Sequence, residues 1–209
     1  MRMRYARKLY VGAHVHFVKV MCREKTLRLL APMISEARRG KIASVVATRT
    51  KNVCVLLENI QDQGNINAVL RSMEAFGFLN VHKVKSTPSP GKKMPPLMRT
   101  DAGALRWIHV RNWSSTEECV QYLKQEQGYK VACASPDAPI SLSQIDFCQK
   151  IALAFGSEGQ GISKTLSDVS DITFSVPMVG FVQSFNVSVS AAITLYAAYS
   201  QRIQKLVNF

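Results

Sequence analysis

Acidic residues are scarce in this 209-residue chain, which has 14 of them against 27 lysines and arginines and a formal net charge of +13. The shortage is greatest in residues 1–50, where only Glu24 and Glu36 oppose twelve basic side chains. Such a charge excess favours a polyanionic partner, because binding releases the counterions of a nucleic acid. A solvated basic surface and an acid-poor organellar targeting segment are the alternatives. The candidate RNA contacts in this segment are Arg38, Arg39, Lys41 and Arg49.

Long apolar runs and paired cysteines are also missing. No stretch of about 18 uninterrupted apolar residues occurs, so we predict no membrane span. The five cysteines are an odd number without C-x-x-C spacing, which argues against a disulfide framework and a structural zinc site. We therefore expect buried free thiols in a reducing compartment, the cytoplasm. No cluster of histidines or carboxylates indicates a metal site.

From residue 53 onward, short apolar runs alternate with helical patterns. This alternation predicts an α/β fold with a mostly parallel sheet and helices on both faces. Hydrophobic residues make up 47% of the chain, which is enough to cover such a sheet. The predicted strands are 53–57, 81–84, 107–110, 129–134, 151–155 and 172–176. The predicted helices are 65–76, one starting near 114–117, 162–166 and 187–206.

Residues 1–50 do not follow this alternation. Leu27 to Arg38 has the spacing of a helix, so we treat residues 1–50 as a basic, largely helical extension before a domain at 51–209. Residues 86–96 contain four prolines and a glycine and are predicted to form a loop.

Two polar segments directly follow buried strands, where the sites of parallel sheets usually lie. The segment 59–71 opens a helix; Asn65 is suited to cap it, and Arg71 follows about two turns later. The segment 156–162 is glycine-rich but has neither G-x-G-x-x-G nor P-loop spacing. Because Glu158 at its centre would repel an anion, this loop suits a neutral or cationic ligand.

A third segment, 176–192, places Gln183, Ser184 and Asn186 just before the last predicted helix. Ser184 and Asn186 are suited to cap this helix, which is an alternative to a functional role. The helix is too apolar around its circumference for a surface element, so we expect it to be buried in the fold or in a subunit interface.

Together the three segments resemble, in order, the signature motifs of the SpoU/TrmH branch of the SPOUT RNA 2'-O-methyltransferases. The P-M-x-G-x-V-Q-S-x-N-V-S-V-S-A-A pattern is most similar to the tRNA guanosine subgroup. The resemblance implies a homodimer with a deep trefoil knot in about residues 130–200 that binds S-adenosyl-L-methionine. It assigns cofactor contacts to Ala134, Gly156, Gly161, Val176, Met178 and Phe185.

The same resemblance assigns catalytic positions to Asn65, Arg71, Glu158, Ser184 and Asn186. We interpret Arg71 as an electrostatic clamp, because a guanidinium with a pKa above about 12 is a poor base. The first motif departs from the family, with Asp62-Gln63-Gly64-Asn65 where relatives often have Asp-Pro-His-Asn. A ribosomal RNA methyltransferase and a non-catalytic RNA-binding or assembly protein of the same fold are the competing interpretations.

Overall fold

The computed structural model describes residues 29–85 and 103–207 and divides the chain into two units after Thr48. This division lies close to the boundary predicted after residue 50, although the separate roles of the two parts stay a prediction. The predicted proline-rich loop 86–96 lies outside the described residues.

The first unit contains a 3-10 turn at Ala31–Met33 and helix α1 at Glu36–Thr48. Within its described part, the helix predicted from Leu27 to Arg38 is helical at residues 29–33 and 36–38 but is interrupted at Ile34 and Ser35. Ile34 is extended, with φ −123° and ψ 145°, and separates the turn from the helix. The hydroxyl of Ser35 then accepts a hydrogen bond from the backbone N–H of Arg38 at 3.3 Å, in the manner of an N-cap.

The second unit is built on a seven-stranded sheet in which all the paired strands are parallel, as predicted. The strand order is β3-β2-β1-β6-β4-β7-β5. The strands are β1 Thr50–Glu58, β2 Phe78–Val84, β3 His109–Trp113, β4 Lys130–Ala134, β5 Ile140–Ser141, β6 Ile151–Phe155 and β7 Ile172–Ser175.

The helices of this unit follow the predicted alternation. They are α2 Gln63–Ala75, α3 Thr116–Gln121 with a π-helical turn at Tyr122–Glu126, α4 Lys164–Val169, α5 Val187–Val207, and 3-10 turns at Ala104–Arg106 and Leu142–Gln144. Strand β5, two residues long, was not predicted. Strand β3 begins later than the predicted 107–110, because Trp107 ends a 3-10 turn.

Strand β1 lies at the centre of the core, and its side chains alternate between two packed layers. Val53, Val55 and Leu57 pack with residues of α2 and α5. On the opposite face, Cys54 and Leu56 pack with residues of α3 and α4. Burial on both faces explains why this strand is a continuous apolar run rather than an alternating pattern.

Helix α5 has apolar side chains on all sides, and these are divided between a buried side and an exposed side. Ala191, Leu195 and Ala198 are fully buried in the core. Its opposite side exposes four large apolar or aromatic side chains: Val189, Tyr196, Tyr199 and Ile203. The helix is thus buried in the fold on one side and presents an apolar stripe on the other.

The described cysteines are free thiols, as expected, with Cys54, Cys119 and Cys133 buried and Cys148 half-buried. Burial raises the pKa of the Cys119 thiol to about 12 and that of Cys133 to about 11. Neither therefore offers a thiolate at neutral pH. No helix in the described ranges is long and apolar enough to cross a membrane.

Candidate active site

The three polar segments meet at the carboxyl edge of the sheet. Segment 59–71 follows β1, segment 156–162 follows β6, and segment 176–192 follows β7. Strand β6 lies between β1 and β4, and β7 lies beside β4. Ligands of open α/β sheets bind in the crevice outside this edge.

Helix α2 begins two residues earlier than predicted, which places Asn65 inside the helix rather than at its start. Asp62 is the N-cap, and its carboxylate accepts a hydrogen bond from the N–H of Gly64 at 2.8 Å. The prediction that Asn65 caps this helix is therefore wrong, because an aspartate three residues earlier satisfies the orphan N–H groups first. The side chain of Asn65, in the first turn of the helix, is left to bond elsewhere.

The loop after β6 is a closed turn with little freedom at its base. Ser157 and Gly161 exchange two backbone hydrogen bonds, with N–O distances of 3.0 and 2.9 Å. A Cβ atom on Gly156 would lie 2.0 Å from the carbonyl oxygen of Gly161, so this position excludes any side chain. Gly161 has φ +68°, which favours glycine. The turn presents Glu158 at its exposed tip.

A chain of hydrogen bonds joins all three segments through their side chains. The Asn186 amide nitrogen donates to Asn65 Oδ1 at 3.1 Å, and the Asn65 amide nitrogen donates to Glu158 Oε1 at 2.8 Å. Asn186 Oδ1 also accepts from the N–H and the hydroxyl of Ser188, at 2.8 and 2.6 Å. Asn186 therefore caps α5, as predicted, and at the same time takes part in the cluster.

The other two predicted catalytic residues are not joined to this chain. Arg71 is exposed on α2, and its side chain forms no hydrogen bond or ion pair within the described ranges. Ser184 is exposed in the segment before α5. The structure thus brings together Asn65, Glu158 and Asn186 and leaves Arg71 and Ser184 facing solvent.

The positions predicted to contact a cofactor lie at or just after the carboxyl ends of three neighbouring strands. Ala134 ends β4, Gly156 and Gly161 belong to the loop after β6, and Val176, Met178 and Phe185 follow β7. Because β6, β4 and β7 are adjacent in the sheet, these segments leave the same edge side by side. Among the residues that the structure describes, no group of three or more His, Cys, Asp or Glu side chains is arranged to hold a metal.

Sequence reasoning missed one carboxylate at this edge. Glu58, the last residue of β1, is 1% exposed and accepts three hydrogen bonds from α3 and from the start of α4. An acid that directly extends the buried run 53–57 is the signal that could have indicated it, because buried carboxylates require donors.

The candidate RNA contacts differ in their surroundings. Arg38, Arg39 and Lys41 are exposed on α1. Arg49 instead forms a 2.9 Å ion pair with Glu74 and donates to the carbonyl of Trp107, and its side chain is only 12% exposed. Its guanidinium is engaged within the protein, and a contact with RNA stays a prediction for all four residues.

The fold and the joined loops define an α/β protein with a candidate site at the carboxyl ends of parallel strands. The SpoU rRNA methylase family matches residues 52–196. The chain is 34% identical over 171 residues to the tRNA (guanosine(18)-2'-O)-methyltransferase of Thermus thermophilus, a match that covers 81% of this chain and 86% of the relative. The enzyme of the same name from Escherichia coli is 29% identical over 81% of this chain and 72% of its own length.

Solved structures confirm the fold. The TrmH/SpoU tRNA modifying enzyme of Aquifex aeolicus superposes with a TM-score of 0.72 over 81% of this chain and 85% of that chain, at 24% identity. The methyltransferase AviRb of Streptomyces viridochromogenes, solved with AdoMet, gives 0.67 over 76% and 64% of the two chains, at 24% identity. The chain belongs to the SpoU family of RNA methylases.

Proposed function

We propose that this chain is a tRNA ribose 2'-O-methyltransferase that uses S-adenosyl-L-methionine and modifies a guanosine of the D-loop. The observation that carries the proposal is the chain of hydrogen bonds from Asn186 through Asn65 to Glu158, which assembles three distant motifs at one edge of the sheet. The names of the relatives from Thermus and Escherichia, both tRNA guanosine enzymes, favour tRNA as the substrate.

The loops at this edge suit S-adenosylmethionine. The cofactor carries no phosphate, and the turn after β6 has no phosphate-binding spacing and bears a carboxylate, Glu158. Close packing at Gly156 and the bends at Gly161 present backbone groups rather than side chains. We assign its contacts to these glycines and to Ala134, Val176, Met178 and Phe185, within a knot that we place in about residues 130–200. Bound there, the cofactor supplies an electrophilic methyl group on a sulfonium.

The reaction breaks the methyl–sulfur bond of S-adenosylmethionine and forms a methyl–oxygen bond at the ribose 2' position. S-adenosylhomocysteine leaves with the electron pair of the broken bond, and the hydroxyl proton passes to water. A 2'-hydroxyl is a weak nucleophile, so charge that develops on its oxygen must be stabilised. We assign this task to Arg71, whose exposed guanidinium is available to clamp the phosphate and the forming alkoxide. Asn65, oriented by Glu158 and Asn186, then positions the ribose, and Ser184 binds the substrate.

We further propose that the enzyme is a homodimer. The stripe on α5 (Val189, Tyr196, Tyr199 and Ile203) is exposed, and so are Val179 and Phe181 in the preceding segment. Large exposed apolar side chains of this kind mark an interface. Light scattering on the full chain tests this assignment, and a monomer at micromolar concentration would contradict it.

The exposed basic residues of α1 (Arg38, Arg39 and Lys41), together with Arg49, are proposed to add sequence-independent affinity for RNA. The free thiols of the described cysteines support a reducing compartment, which we propose to be the cytoplasm.

The function is tested by methyl transfer from labelled S-adenosylmethionine to purified tRNA and rRNA in parallel, with nuclease mapping of the product. We expect 2'-O-methylguanosine in the tRNA D-loop. Labelled rRNA alone would favour the ribosomal alternative, which the description of the matching family supports. Cofactor binding without transfer to either RNA would contradict both assignments.

The role of Arg71 has its own test. Arg71→Ala is expected to lower the rate of transfer about a hundredfold or more, because it removes a stabilising charge at the reacting oxygen. Arg71→Lys keeps the charge without the planar fork and is expected to retain part of the rate. Wild-type rates in both variants would contradict the clamp.

A further inference from the structure

The buried carboxylate of Glu58 is the junction of three elements. Its Oε1 atom accepts hydrogen bonds from the hydroxyls of Thr116, at 2.6 Å, and Ser163, at 2.8 Å. Its Oε2 atom accepts from the backbone N–H of Ser163 at 2.8 Å. Thr116 begins α3, and Ser163 is the N-cap of α4. The oxygen atoms of a carboxylate buried in this way must be satisfied by such donors.

Ser163 follows directly after the turn that presents Glu158. The start of that turn is fixed by strand pairing, since Phe155 of β6 is the register partner of Leu57 in β1. Its end is fixed by the two bonds from Ser163 to Glu58. Both ends of the turn are thus held to the last two residues of β1, the strand that also leads to Asn65.

We propose that Glu58 is a positioning residue which, through Ser163, holds the turn 156–162 in the shape that binds S-adenosylmethionine, without touching the cofactor. The inference rests on the proposed function, because it takes this turn as a cofactor loop. It predicts that affinity for the cofactor depends on the Ser163 bonds in particular and not on the burial of Glu58 in general.

Thr116 supplies a matched control for this distinction. Its hydroxyl donates to the same oxygen atom as the hydroxyl of Ser163, but it belongs to α3 and has no bond to the turn. Thr116→Val therefore removes one donor from Glu58 and leaves the attachment of the turn intact. Ser163→Ala removes one donor from the same atom and loosens the turn.

The experiment is calorimetric titration of the full chain with S-adenosylhomocysteine in the absence of RNA, with thermal unfolding measured in parallel. We expect the Kd to rise about tenfold in Ser163→Ala, as the loss of a hydrogen bond to a charged group implies. Glu58→Gln has a similar or larger effect, because an amide cannot accept from all three donors. Ser163→Thr keeps the hydroxyl and should restore affinity to within about twofold of wild type.

Thr116→Val is expected to change the Kd less than about twofold. Its melting temperature should fall less than that of Ser163→Ala, which also loses the N-cap bond from the N–H of Leu166. An equal rise in Kd for Thr116→Val and Ser163→Ala would overturn the inference, as would wild-type affinity in Ser163→Ala. If the wild-type chain binds no S-adenosylhomocysteine, the proposed function itself fails. If the wild type binds and methylates tRNA while the variants match it, the inference alone fails.

Discussion

Two carboxylates at the same edge of the sheet have opposite surroundings. Glu158 is exposed at the tip of a turn and accepts one hydrogen bond, from Asn65. Glu58 is fully buried and accepts three, from Thr116 and Ser163. An exposed charge contributes little to stability, whereas a buried one becomes costly when its partners are removed. Glu58 is therefore expected to contribute more to stability than Glu158, although both acids serve the same loop.

The largest effect on folding is expected at the buried acid. Glu58→Ala leaves three donors without their acceptor and should lower the free energy of unfolding by about 3 kcal/mol or more. Glu158→Ala, at an exposed site, should change it by less than about 0.5 kcal/mol. Urea unfolding of the two variants beside the wild type measures both values. Similar losses in the two variants would remove the contrast.

The exposed cluster should show the reverse behaviour. Asn65→Ala breaks both bonds of the chain between Asn186 and Glu158, and misplaced reacting groups cost up to about a hundredfold in rate. We expect a loss of methyl transfer of roughly this size, with stability changed by less than about 1 kcal/mol. Unaltered transfer to tRNA in a folded Asn65→Ala protein would show that the cluster is only structural.

The rigidity of the turn 156–162 can be tested by substituting its glycines. Gly156→Ala places a methyl group against the backbone of Gly161 and Ile162, and such overpacking costs about 1–3 kcal/mol. Gly159→Ala is the control, since a Cβ there meets nothing within 4 Å. Thermal unfolding should separate the two variants clearly. Equal melting temperatures would mean that the turn adapts to a side chain.

The last prediction concerns the loss of stability at acid pH that His82 causes. This loss must be separated from the loss that protonation of the carboxylates causes. Burial, with a contribution from Arg111, lowers the pKa of His82 to about 4, and its Nδ1 accepts a hydrogen bond from Trp113 at 3.1 Å. The unfolded chain binds this proton near pH 6.5. Stability is therefore complete above that pH and falls as the pH drops toward about 4.

His82→Gln keeps an acceptor for Trp113 and removes the titration. Unfolding in urea at pH 7 and pH 4.5 should show a smaller acid loss in this variant than in the wild type. The same pH dependence in both proteins would assign the loss to the carboxylates instead.

The extent to which the sequence predicts this molecule follows from burial. Residues 151–155 were predicted to the residue because a five-residue apolar run can only be a fully covered strand in this pattern. Strand β3 was misplaced because its side chains are mostly exposed at the sheet edge and give no apolar signal. Helix α1 was misplaced for a similar reason, since none of its residues is buried.

The residues of the candidate site were predicted only in part. Motif resemblance named Asn65, Glu158 and Asn186, which the structure joins by hydrogen bonds. It did not indicate that Asp62 rather than Asn65 caps α2, because both residue types are good caps and only the geometry selects one. Glu58 escaped notice because the partners that make it important, Thr116 and Ser163, are distant in sequence.

The strand order has a consequence for how the chain acquires its structure. Strands β1, β2 and β3 are neighbours in space as well as in sequence, but the other side of β1 pairs with β6. During synthesis at about 5–20 residues per second, the apolar strand β1 waits on the order of ten seconds for that partner. Parallel pairing between distant segments is also intrinsically slow. The nascent chain is therefore most prone to aggregation before residue 155 has emerged, and refolding yield should depend strongly on protein concentration.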